Sequence, residues 1–272
     1  DDILKMPFLP KKLVVIGGGV IGSEYACTFA ALDVEVTLVD KRPDFMGFLD
    51  HEVARLLQDR MTDLGVEFIA PDGVQSCVAD EEKAVLMLES GRRLETDAVF
   101  VAAGRTSNTG NLNLAQAGVP VGDRGLIKVN DNYQTEVPHI YAAGDVIGFP
   151  ALASTSMEQA RVAMVHAFDL GYKDEAAAIL PFGIYTIPEV SMAGATEEQL
   201  IRDGVDYVKG TARYGGNPRG LIIGDYEGML KLLFRDGDMR LLGVHVIGEQ
   251  ASELVHVGLV ALMCKASSDL FI

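Results

Sequence analysis

Cysteine is scarce: Cys27, Cys77 and Cys264 are the only three in 272 residues. None stands at CxxC, CxxxxC or Cys/His ligand spacing, which argues against a disulfide framework and against a metal site in this stretch. A reducing cytoplasm is the expected setting, and the first residues carry no signal-peptide pattern. Basic residues are also few, 23 Lys+Arg against 39 Asp+Glu, a formal net charge of −16. So acidic a surface repels phosphate backbones, so no nucleic-acid partner is expected. Long apolar runs are missing too. The longest lies near Val257–Cys264, far below the ~20 residues of a membrane-spanning helix, so no membrane partner is expected. No Gly-x-Ser-x-Gly surrounds Ser154 or Ser156, which leaves a hydrolase without support. His51, His139, His166, His245 and His256 are scattered without a nucleophile or ligand cluster, and His256 on an apolar helix suggests core or interface packing.

What is present is globular: 49% of the chain is apolar, and its length predicts about two domains at roughly 150 residues each. Leu13–Ile16 is an apolar run meeting Gly17-Gly18-Gly19-Val20-Ile21-Gly22. A helix-forming stretch, Ser23–Leu32, follows, then the alternating Val34–Val39 ending at Asp40. Strand, glycine turn, helix, strand and acid form the dinucleotide-binding βαβ fingerprint in its required context. Gly17 makes the tight turn, Gly19 admits the pyrophosphate to the backbone, and Gly22 lets the helix pack on the strand. The helix N-terminus offers unpaired N–H groups to the phosphates, and Asp40 accepts the ribose hydroxyls. Lys41 and Arg42 follow directly. An acid favours NAD and a nearby Arg accommodates the 2′-phosphate of NADP, so the pair suggests a site tolerating both; a solvated Lys-Arg pair is the alternative.

Asp50 is placed to cap a helix carrying Val53, Leu56, Leu57, Met61 and Leu64, closed by Gly65. Val66–Ile69 reads as a strand, then Val74–Val78, Ala84–Leu88 and Arg93–Glu95 as an antiparallel meander, and Ala98–Ala102 as a buried strand. Ile140–Asp145 is expected to be another apolar strand ending in Gly144-Asp145, followed by a helix from about Ala151–Ser154 to Leu170. Beyond it, Thr196–Gln199 is a capping box, Asp236-Gly237 joins a hairpin of Met229–Phe234 and Arg240–Val246, and Ala251–Cys264 is a helix. This last part reads as an α+β dimerisation domain.

Four motifs in order, GGGVIGSE at Gly17–Glu24, AGRTSN at Ala103–Asn108, YAAGDV at Tyr141–Val146 and YTIPE at Tyr185–Glu189, resemble the flavoprotein pyridine nucleotide–disulfide oxidoreductases over essentially the whole chain. The resemblance implies that Gly17, Gly18, Gly19, Val20, Ile21 and Gly22 hold a nicotinamide dinucleotide pyrophosphate, with Asp40 and Arg42 at the adenosine ribose. It implies that Glu24 lies near the nicotinamide, with Gly104 touching the same cofactor and Val74 beside the adenine. Gly144 and Asp145 would meet the ribityl–phosphate part of FAD, and Ala151, Leu152, Ala153 and Ser154 would run along its isoalloxazine. Val20 stands where many relatives carry a flavin-covering tyrosine. The implied architecture is α/β: residues 1–10 as linker, a Rossmann-type NAD(P) domain with β-meander at 11–125, a partial FAD-domain segment at 126–176, and a truncated dimerisation domain at 177–272.

The stretch begins without Met and ends on Leu270-Phe271-Ile272, so it is expected to be an excerpt of a longer protein. The implied activity is hydride transfer from NADPH to NAD through FAD in a homodimer or higher homo-oligomer, with no catalytic side chain. The alternatives are a disulfide oxidoreductase of the same family, or a stretch that acts only as an NAD-binding module without its FAD partner domain.

Overall fold

The computed structural model describes residues 2–80 and 83–272. A 3-10 turn at Asp2–Lys5 is followed by β1 (Lys12–Ile16), α1 (Val20–Ala30), β2 (Glu35–Val39), α2 (His51–Asp63) and β3 (Val66–Ile69). The meander β4 (Val74–Ala79), β5 (Ala84–Leu88) and β6 (Arg93–Thr96) follows, then β7 (Ala98–Val101). Strands β3-β2-β1-β7 form one sheet, parallel throughout, and β4-β5-β6 form a separate antiparallel one. Parallel pairing needs crossovers, and the apolar faces of α1 and α2 supply them. Asp50 caps α2 as expected, its side chain accepting from the Glu52 N–H.

The middle of the chain holds a single long helix, α3 (Ala153–Phe168). The strand expected at Ile140–Asp145 does not form. Its main-chain bonds are local instead, among them Thr135 N to Ile140 O, Ile140 N to Val137 O and Ala142 N to Tyr133 O. These leave one isolated bridge, Gln134 to Tyr141. An apolar run becomes a strand when another strand flanks it, and here a tight local turn takes that place.

The last part contains β8 (Phe182–Ile184), β9 (Val190–Gly194), α4 (Glu197–Arg202), β10 (Tyr207–Arg213), α5 (Pro218–Ile223), β11 (Met229–Arg235), β12 (Leu241–Ile247) and α6 (Ala251–Met263). The sheet order is β10-β11-β12-β9-β8, all antiparallel. Helix α6 lies so close to β12 that a Cβ on Gly258 would stand 2.6 Å from Val244. The expected capping box on α4 and the hairpin at Asp236-Gly237 are both present.

The described residues divide into two compact units: those up to Gly104 together with Pro181–Ile272, and Arg105–Leu180. This differs from the expected boundaries. Residues 105–125 join the second unit, and the parallel sheet and the five-stranded sheet share one core. Val15, Ala26, Leu38, Leu57 and Met61 pack in the same buried cluster as Ile184, Val190, Met192, Met229 and Ile247. No described helix is long and apolar enough to cross a membrane.

Candidate dinucleotide site

The register of the parallel sheet assembles the site. Ile16 pairs with Val39 and with Val101, so three strands end together and their following loops meet at one edge. Backbone bonds fix these loops: Gly17 N donates to Val39 O at 2.8 Å, and Ala102 N to Ile16 O at 2.8 Å. Asp72 N donates to Asp40 O at 2.9 Å, bringing in the start of the meander. The result is a pocket of about 480 Å³ lined by residues that include Gly17, Gly19, Asp40, Arg42, Val74 and Gly104. Its position at the carboxyl ends of parallel strands is where open α/β sheets take ligands.

The glycines are required here. Gly17 has φ +106°, and a Cβ on it would stand 2.6 Å from Ala102 O. A Cβ on Gly22 would collide with the Gly17 carbonyl, whereas one on Gly19 would meet nothing within 4 Å. Gly19 therefore faces open space. It is also the N-cap of α1, and no side chain caps that end. The free N–H groups and positive dipole end of α1 suit a pyrophosphate.

Asp40 lines the pocket and accepts four hydrogen bonds. Its Oδ1 accepts from the Arg42 N–H at 2.8 Å and from Arg42 Nε at 3.0 Å. Its Oδ2 accepts from the Gly18 N–H at 2.6 Å and from Arg42 Nη2 at 2.7 Å. Partial burial alone would raise its pKa. The hydrogen bonds from Arg42 and Gly18 outweigh that and hold it at about 2, so it is a carboxylate at any working pH. Lys41 pairs with Glu89 at the rim.

Val20, Ile21, Gly22 and Glu24 continue along α1 and do not line this pocket. Glu24 Oε1 accepts from Tyr185 N at 2.9 Å, so it ties α1 to the Tyr185–Glu189 segment. In the second unit, Gly144 is buried with φ +84°, and its N–H donates to Gln159 Oε1 at 2.7 Å. Asp145 is exposed and opens a short 3-10 turn. Ala151, Ala153 and Ser154 are exposed and Leu152 is half-buried, at an α3 N-terminus without a side-chain cap. Thr155 Oγ1, one residue on, is buried without a partner. The uncapped α3 N-terminus offers free N–H donors of the kind that suit the phosphate of a cofactor such as FAD, while the exposed Asp145 carboxylate can only accept and suits a hydroxyl.

One polar cluster was not foreseen. Lys231 on β11 is fully buried, and its ammonium meets Asp50 Oδ1 at 2.7 Å, Glu52 Oε2 at 3.0 Å and Glu197. Three N–H donors thus find three carboxylates. Lys209 adds bonds to Glu197 at 3.1 Å and Glu52 at 3.4 Å. Burial alone would lower the Lys231 pKa, but its hydrogen bonds to Asp50, Glu197 and Glu52 carry it well above the usual lysine value. Glu197, pushed up by burial, is brought down to about 2 by Lys231, Tyr207 and Lys209. His245 lies opposite Lys231 on β12, buried, with its pKa lowered chiefly by that burial. A lysine sharing strand parity with the buried Met229 and Leu233 was the available signal. His256, by contrast, is exposed on α6 rather than in the core.

Two family models match the chain: pyridine nucleotide-disulphide oxidoreductase over residues 1–167, and the dimerisation domain of that family over residues 180–272. A soluble pyridine nucleotide transhydrogenase from Mycobacterium bovis is 46% identical over 99% of the chain, and one from Aliivibrio fischeri is 40% identical over 99%. The chain spans 57% of the length of each. Among solved structures, the HOCl-induced flavoprotein disulfide reductase RclA from Escherichia coli superposes with a TM-score of 0.93 at 26% identity. That match covers 98% of this chain and 62% of RclA.

Proposed function

Because the chain belongs to the pyridine nucleotide-disulphide oxidoreductase family, we propose that it is the nicotinamide-dinucleotide-binding and dimerisation part of a flavin-dependent transhydrogenase moving hydride from NADPH to NAD. The observation that carries this reading is the Asp40 carboxylate, held against the Gly18 N–H inside the pocket with Arg42 beside it. Acid and base together suit a site that must accept both dinucleotides in turn. The identity to the transhydrogenases supports the same choice.

In this reading Gly17, Gly19 and the α1 N-terminus orient the pyrophosphate, and Asp40 and Arg42 hold the adenosine ribose. Glu24 and Gly104 border the nicotinamide half, and Asp145 with Ala151–Ser154 contacts FAD. FAD, when bound, supplies a two-electron hydride acceptor and donor. No protein acid or base is needed for hydride transfer, so the residues contribute orientation and electrostatics. The exposed apolar side chains Leu254, Val257, Val260 and Met263 on α6 are the face proposed for a second copy of the chain.

Calorimetric titration with NADH and NADPH tests the site. Asp40→Ala should weaken NADH by about 1.5–3 kcal/mol, the value of hydrogen bonds to a charged group. Unchanged affinity would remove Asp40 from the site. For the reaction, NADPH is mixed with an NAD analogue and the full-length protein, and reduction of the analogue is followed. A second reading, a flavoprotein disulfide reductase, is favoured by the likeness to RclA. Disulfide reduction without analogue reduction would select it. If the chain binds dinucleotide but no flavin absorbance accompanies it, the chain acts as a binding module alone.

A further inference from the structure

Part of the pocket lining, Asp72, Gly73 and Val74, lies where the link from β3 enters β4, outside the parallel sheet. Asp72 is the residue that ties this part down. Its N–H donates to Asp40 O at 2.9 Å, joining the link to the end of β2. Its Oδ1 accepts from the Gly73 N–H at 2.8 Å and the Ser90 N–H at 3.2 Å, and its Oδ2 accepts from Ser90 Oγ at 2.5 Å. The Ser90 hydroxyl leads the contacts that hold the Asp72 carboxyl below the usual carboxylate range, so it is ionised and only accepts.

Ser90 belongs to the turn between β5 and β6 and does not line the pocket. That turn has little freedom. Gly91 N donates to Leu88 O at 2.9 Å, and Leu88 is fully buried in one cluster with Leu86, Val14 and Val39. The Glu89 N–H donates to Gly73 O at 2.8 Å, and a Cβ on Gly73 would stand 2.7 Å from Glu89 Oε1. Asp72 thus joins a fixed anchor outside the pocket to residues inside it. Resting on the dinucleotide reading above, we propose that Asp72 is a positioning residue for the adenosine half of the ligand, carrying the fixed position of the β5–β6 turn to Gly73 and Val74.

The meander then has a task in binding: it orders this lining before the ligand arrives. A lining that must be ordered on binding lowers affinity by the cost of that ordering. Asp72→Ala keeps the two main-chain bonds and loses the three made by the carboxylate, and should bind NADH and ADP-ribose about fivefold or more weakly. Asp72→Asn removes the charge but keeps the geometry, since Oδ1 still accepts and Nδ2 can donate to the Ser90 hydroxyl. Its affinities should stay within about twofold of the wild type. Ser90→Ala, outside the pocket, should still weaken both ligands. Its loss should not add to that of Asp72→Ala in the double variant, because both remove one connection.

The test is calorimetric titration of the wild type and these four variants with NADH and ADP-ribose at one salt concentration. Weaker binding at unchanged stoichiometry in Asp72→Ala and Ser90→Ala, no further loss in the double variant and retained binding in Asp72→Asn support the proposal. A fall in stoichiometry at unchanged affinity would mean partial unfolding and would overturn it. So would a Ser90→Ala that binds like the wild type, or an Asp72→Asn as weak as Asp72→Ala, since Asp72 would then act on the ligand by its own charge. Should Asp72→Ala fail to fold, Ser90→Ala and Asp72→Asn decide alone. If the wild type binds neither ligand, the dinucleotide reading and this inference fall together.

Discussion

Replacing Lys231 by Met keeps the length and apolar stem of a fully buried side chain and removes its charge. What remains is Asp50, with a side chain 0% exposed, and Glu197, 15% exposed, facing each other and Glu52. Their oxygens lie within 4.8 Å of one another. At an effective dielectric of about 20, two unit charges at that separation repel by about 3 kcal/mol. Lys209, bonded to Glu197 and Glu52, offsets part of this from the exposed side. Removing one partner of a buried ion pair typically destabilises by about 3–5 kcal/mol, and the Lys231→Met loss at pH 8 should lie there. The chain has no tryptophan, so far-UV circular dichroism in urea is the suitable assay. A midpoint lower by about 1–2 M is expected for a usual urea slope.

The pH dependence separates charge from packing. In the wild type, Glu197 titrates at about 2 and the Asp50 pKa is also lowered. Lowered carboxylate values mean stability that is present above the unfolded pKa and is lost as pH falls through the folded one. These carboxylates therefore add no slope to the wild type between pH 8 and 5, whereas buried His245, with its pKa lowered, costs it stability as pH falls through the ordinary histidine value. In Lys231→Met the crowded carboxylates reverse direction, and one takes up a proton above its unfolded pKa. Relative to the wild type, the variant then gains stability on acidification, and its deficit should be smaller at pH 5 than at pH 8. An equal deficit at both pH values, or one below about 1 kcal/mol, would refute the electrostatic account.

Gly22→Ala, whose Cβ collides with the Gly17 carbonyl, should lose both stability and NADH affinity. Gly19→Ala, with open space around its Cβ, should stay within about 0.5 kcal/mol in urea yet bind NADH more weakly. A stability loss in Gly19→Ala would contradict the open cradle. Asp40, held at about 2, should keep its contribution to NADH binding level between pH 8 and pH 5, since that contribution is lost only as pH falls through its pKa; titrations at three pH values check this. Thr196→Ala removes the Oγ1 that accepts from Gln199 N but keeps the backbone N–H bond to Gln199 Oε1, and should lower stability by about 1 kcal/mol, measured by thermal unfolding.

The geometry of the candidate pocket was legible because its requirements are local or spaced by fixed geometry. Gly17 must turn, Gly22 must touch the turn, and the acid must stand at the end of the next strand. The strand register then brings Asp40 to Gly18 without any choice by the rest of the chain. The Ile140–Asp145 run misled because strand formation depends on a flanking strand that no composition reveals. The partners of Lys231 were illegible for a related reason. Its partner Asp50 is 181 residues away and Glu197 is 34, and each alone has an ordinary role, one a helix cap and the other a first-turn acid. The same atoms serve both roles: Asp50 caps α2 with Oδ1 and gives that oxygen to Lys231 as well. A residue that satisfies a local rule hides its long-range one. Buried charge is therefore read from strand parity, where Lys231 shares the face of Met229 and Leu233, and a lysine in that row implies carboxylates on whatever packs against it.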